Sequence, residues 1–85
     1  MYRVIIENKA KKEVRSLTPE NIKRIVTAIS SLKDNPRPKG VKKLIGKVGW
    51  RITVGDYRML YDIKDKEKEV VVYRVKHRRE VYRFR

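Results

Sequence analysis

Apolar and polar residues alternate most regularly from Trp50 to Tyr61, in the stretch WRITVGDYRMLY. The alternation predicts two strands joined by a two-residue turn at Gly55-Asp56. Val54 then faces Tyr57, Ile52 faces Met59, and Trp50 faces Tyr61. Those apolar side chains share one face, while Thr53 opposite Arg58 and Arg51 opposite Leu60 share the other. An arginine on a strand has a rigid support, and its planar fork makes directed, paired hydrogen bonds to anionic oxygens.

The other elements follow from pattern in the same way. Residues 2–6 alternate and read as a short first strand. Ala10, Val14 and Leu17 fall at i, i+4 and i+7, which predicts a helix over residues 8–17. Thr18-Pro19-Glu20 is a second helix start, and Ile22, Ile25, Val26, Ile29 and Leu32 form its apolar stripe. So short a connection makes the pair a helical hairpin. Residues 34–40 are a breaker-rich loop, and residues 41–47 are ambiguous, with a short extended piece expected there. Residues 50–63 are the hairpin, residues 64–68 a charged turn, and residues 70–76 the strongest strand signal. The order β-α-α-β-β-β predicts an α+β fold: a mostly antiparallel sheet with the helical hairpin on one face, as a single domain over residues 1–85.

Pairing Ile63 with Glu69 across the second turn sets Tyr61 opposite Val71, Met59 opposite Tyr73 and Tyr57 opposite Val75. Trp50, Tyr57, Tyr61 and Tyr73 are then core residues. The uncovered face gains Val70, Val72, Arg74, Lys76 and, if the strand runs on, Arg78, with Arg58 across from Arg74. A one-residue slip would bury arginines, which disfavours it. Acidic partners are almost missing from this face, Asp62 excepted, so an anion site is expected there.

Composition sharpens that expectation. Lys and Arg number 24 against 10 Asp and Glu, a formal charge of +14 in 85 residues. A heat-adapted surface would balance its signs; this surplus fits a polyanion, nucleic acid ahead of a membrane surface. An acidic protein could mask the same surface. The absence of cysteine removes disulfides and thiolate chemistry, and a lone histidine makes a structural metal site unexpected. No secretory leader or membrane-length apolar run is read, so a cytoplasmic protein without cofactor is expected.

Ser/His/Asp and Cys/His arrangements, Gly-rich phosphate loops and carboxylate pairs are all missing. RNA cleavage by its own 2′-OH suits the residues that remain. An enzyme that aligns this hydroxyl and neutralises the phosphorane needs no metal. His77, Tyr82 and a lysine are the candidates for proton transfer.

WRITVGDYRMLY followed by VVVYRVKHRREVY resembles the RelE/ParE toxin family, and its RelE branch more closely; the similarity runs over nearly the whole chain. The specific pieces are GDYR…Y and HRR-x-VY. The resemblance implies a metal-independent mRNA interferase that enters the ribosomal A site and cuts messenger RNA by 2′-OH attack, inhibiting translation. It also implies a cognate RelB-like antitoxin. Carried over by residue, Arg51, Arg58, Arg78 and Tyr82 match the family's catalytic positions, with His77 a further candidate. Lys47, Thr53, Arg74, Lys76 and Arg79 are the expected RNA contacts. Thr53 stands where the best-known site of this type has a second lysine, which leaves the general base open. Two rivals remain: a ParE-type toxin acting on gyrase, which shares the fold, and a non-catalytic RNA-binding module, which predicts aromatics on the basic face.

Overall fold

The computed structural model describes residues 1–44 and 49–81. Strand β1 (Arg3–Ile6) leads into helices α1 (Asn8–Arg15) and α2 (Pro19–Asp34). Four strands follow, β2 (Lys42–Lys43), β3 (Trp50–Val54), β4 (Tyr57–Lys64) and β5 (Glu69–His77), then one turn of helix, α3 (Arg78–Val81). The sheet order is β1-β5-β4-β3-β2, and only β1 beside β5 is parallel. The α+β expectation holds, and the ambiguous segment before the hairpin supplies the edge strand β2.

Local chemistry sets the helix boundaries. The Thr18 hydroxyl accepts the Asn21 backbone N–H at 3.4 Å, and Pro19 opens α2 without losing a useful donor. Ile25, Ile29 and Leu32 of α2 are buried against Met59, Tyr61, Val70, Val72 and Val75, with Ala10 of α1 joining them. Val26 leaves the expected stripe and is 53% exposed. Tyr61 is fully buried and donates to the Pro36 carbonyl at 2.8 Å; burial pushes its hydroxyl pKa up to about 12.

The hairpin pairs as its alternation predicts, from Val54 opposite Tyr57 to Trp50 opposite Tyr61. The next pair of strands corrects the expected register. Tyr57 faces His77, Arg58 faces Lys76, Met59 faces Val75 and Leu60 faces Arg74; after an irregularity at Leu60/Tyr61, Tyr61 faces Val72 and Ile63 faces Val70. Val70 and Val72 are therefore fully buried core residues, not part of the open face. Val70, Val72 and Val75 cannot share one face under strict alternation, so β5 carries one extra residue as a bulge. Burying the two valines gains roughly 1.5–3 kcal/mol each, more than a local break in the ladder costs. The bulge shifts half the strand and leaves Arg74 and Lys76 outside the core. Tyr73, expected opposite Met59, lies at the bulge outside the core cluster, and its hydroxyl reaches the start of β3 beside Gly49.

A candidate nucleic-acid interface on the open face of the sheet

Two rows of side chains cross the face away from the core. One runs Lys42, Arg51, Leu60, Arg74 through β2, β3, β4 and β5; the other runs Thr53, Arg58, Lys76. The sequence-predicted residues Arg51, Thr53, Arg58, Arg74 and Lys76 are thus gathered on one surface. Arg58 lies across from Lys76, not Arg74 as the expected register had it. Lys47 and Tyr82 lie outside the described residues.

Charge is distributed unevenly over that surface. The Glu13 carboxylate of α1 accepts from Arg74 Nε at 3.1 Å, from Arg74 Nη2 at 3.0 Å and from the Val75 amide at 2.8 Å. It also pairs with Lys76 Nζ at 2.8 Å, and Glu80 lies 3.7 Å from the same ammonium. Topology explains the contact. β1 ends at Ile6 beside Val72, so among the described residues the rest of β5 has no strand on that side, and α1 runs along it instead. Burial pushes the Glu13 carboxyl pKa up, but hydrogen bonds from Arg74, Lys76 and Val75 outweigh it and hold the group below its usual range. The expectation of a face almost free of acids is therefore corrected at β5. Glu13 follows buried Ala10 by three residues, so it faces the sheet; an acid on that side of a lysine-rich helix was the available signal.

The hairpin half differs. Among the described residues Arg58 donates only to the carbonyl of its neighbour Tyr57, at 3.2 Å, and Arg51 has no polar side-chain partner. β5 ends at His77, so Arg78 does not extend the strand face but opens α3; it is exposed, its guanidinium 3.9 Å from Asp56, while its amide donates to the Asp56 carbonyl at 2.8 Å. Arg78 and the hairpin turn are thereby joined. Arg79 is exposed, and its amide donates to His77 Nδ1 at 3.2 Å. His77 packs edge-on against Tyr57, ring centroids 5.5 Å apart, on the face opposite Arg58. Its imidazole is thus separated from the arginine row by the sheet.

A family model described as the ParE toxin of the type II toxin-antitoxin system parDE matches residues 4–82. The chain belongs to the RelE/ParE toxin family. Within it, the RelE1 protein of Methanocaldococcus jannaschii is 27% identical, with 96% of each chain covered. RelE in the RelE-RelB complex from Pyrococcus horikoshii OT3 is 30% identical, with a TM-score of 0.81 over 91% of this chain and 94% of that one. The isolated RelE toxin of E. coli is 26% identical, with a TM-score of 0.78 over 98% and 93%. These likenesses place the toxin on the RelE side of the family. No helix among its described residues is long and apolar enough to cross a membrane.

Proposed function

We propose that this toxin is an endoribonuclease that cleaves messenger RNA in the ribosomal A site in the cytoplasm, without a metal ion, and is held inactive by a RelB-like antitoxin. The observation that carries this reading is the pair Arg51 and Arg58, fixed on adjacent strands of a rigid hairpin with no acidic partner among the described residues. Two uncompensated guanidinium groups on one rigid surface offer planar donor forks to phosphate oxygens. In the reaction the 2′-oxygen attacks the adjacent phosphorus, the P–O2′ bond forms and the P–O5′ bond breaks. A 2′,3′-cyclic phosphate and a 5′-OH result. The hydroxyl proton goes to a base and another proton reaches the leaving oxygen. Arg58 and Arg51 stabilise the charge on the phosphorane, where electrostatic stabilisers contribute most. Arg78, tied to the hairpin turn through Asp56, closes the site from the end of β5. Tyr82, four residues further on, is proposed to hold the flanking base or assist proton transfer. His77, on the far side of the sheet, is the weaker candidate for that step.

The antitoxin follows from the charge of +14 and from the RelE relatives solved with RelB. An acidic segment across this surface would mask it.

In vitro translation followed by primer extension tests the reading. Codon-positioned cuts that depend on the chain and persist in excess chelator are the expected result. Intact messages together with loss of DNA gyrase supercoiling activity would replace it with the ParE-type reading.

A further inference from the structure

Lys42 and Lys43 are neighbours in sequence with the same charge, yet β2 sends them to opposite faces. Lys43 pairs with Trp50, and its ammonium lies 6.0 Å from the indole ring centroid on the core side. Lys42 pairs with Arg51 and so stands on the basic face. It is exposed and makes no hydrogen bond or ion pair among the described residues. Directly paired residues of antiparallel strands have Cα atoms about 5 Å apart, so Lys42 and Arg51 are adjacent like charges. Cross-strand like charges repel, and a shared anion between them reverses the sign. At the other edge of the face the cations are already answered by Glu13 and Glu80. The uncompensated charge therefore runs from β2 to β4.

We propose that Lys42, with Arg51, binds a backbone phosphate of single-stranded RNA next to the phosphate held at Arg58. This rests on the ribonuclease reading given above. The Lys42–Arg51 row and the Arg58 row are two residues apart along the strands, roughly 7 Å, a separation on the scale of neighbouring phosphates of one chain. Lys42 makes no contact with the reacting atoms: it is a positioning residue that sets where the strand lies. An edge strand also gains protection from lysine charge, but Lys43 supplies that charge equally well. Only the face separates the two residues.

The test uses the full-length chain, its Lys42→Ala and Lys43→Ala variants, and a 2′-O-methyl RNA oligonucleotide that cannot be cleaved. Binding is followed by fluorescence anisotropy across a salt series, with thermal melts to confirm that all three fold. Lys42→Ala is expected to weaken binding about 5-fold at moderate salt and to flatten the slope of log K against log salt by about one unit, one phosphate contact. Lys43→Ala is expected to leave the slope unchanged. Equal losses in both variants, no loss in Lys42→Ala, or no RNA binding by the parent chain would overturn the proposal. Binding that depends on Lys42 without cleavage during translation would remove the nuclease reading and leave the phosphate contact standing. Cleavage by the parent together with an unchanged slope in Lys42→Ala would do the reverse.

Discussion

The β5 edge and the β3–β4 hairpin carry the same kinds of side chain to opposite effect. Arg74 and Lys76 converge on the Glu13 carboxylate, whereas Arg51 and Arg58 meet no acid among the described residues. Strand position alone does not make a cation available to a ligand. What decides is whether the topology brings a counter-charge, and here the early end of β1 admits α1 and its glutamate to the β5 edge. Net charge is silent on this distinction, since all four residues count equally towards +14.

The largest expected effect breaks the comparison at its centre. Arg58→Ala should slow messenger cleavage by about 100- to 1000-fold, the cost of removing one transition-state donor. Arg74→Ala, whose guanidinium already answers Glu13, should slow it by no more than about tenfold, the scale of one lost phosphate contact. Primer-extension rates measure both. Equal losses would mean that the Glu13 pairing does not partition the face.

An intermediate effect comes from the acid itself. Glu13→Ala removes the acceptor of the Val75 amide and a carboxylate shared by Arg74 and Lys76, which should cost about 1–3 kcal/mol of stability in urea unfolding. Glu13→Gln keeps the shape and removes the charge, so RNA affinity should rise and its salt dependence steepen as Arg74 and Lys76 gain reach to phosphates. Unchanged affinity in Glu13→Gln would show that the β5 edge stays away from RNA whatever its charge.

The hairpin and the β5 edge also differ in how legible they were. Gly55-Asp56 and clean alternation fix the register of β3 and β4, and the arginine pair with it, because a turn of that length permits one pairing. The β4–β5 pairing was misread because a bulge leaves no mark on a run such as Val70-Val71-Val72-Tyr73. Each residue there suits either face, and the choice is made by the helices covering one of them. Glu13 was missed for a related reason. Its partners lie about 60 residues away in sequence, on an edge whose exposure depends on where β1 stops. Parallel pairing of β1 with β5 is likewise a long-range outcome that local pattern does not encode.

The smallest expected effect concerns a third charged cluster, which sharpens the comparison because it resembles the β5 edge and lies away from the basic rows. Arg37 holds Asp65 through Nη2 at 2.8 Å and Nη1 at 3.3 Å, Tyr2 donates to the same carboxylate at 2.7 Å, and Arg37 stacks 5.2 Å from the Trp50 ring centroid. Hydrogen bonds from Arg37 and then Tyr2 lower the Asp65 pKa from 3.8 to about 2. The folded value lies below the unfolded one, so the cluster's stabilisation is complete above about pH 4 and fades as pH falls through about 2. The cluster is solvent-exposed, so the gain is small. Asp65→Asn should therefore lower Tm slightly at pH 6, and the two melting curves should converge towards pH 2. RNA binding and its salt slope should not change, because this pairing lies beside Trp50 on the core side of the sheet. A slope that flattened in Asp65→Asn would extend the RNA path beyond the two basic rows; a Tm difference that grew on acidification would reverse the sign assigned to Asp65.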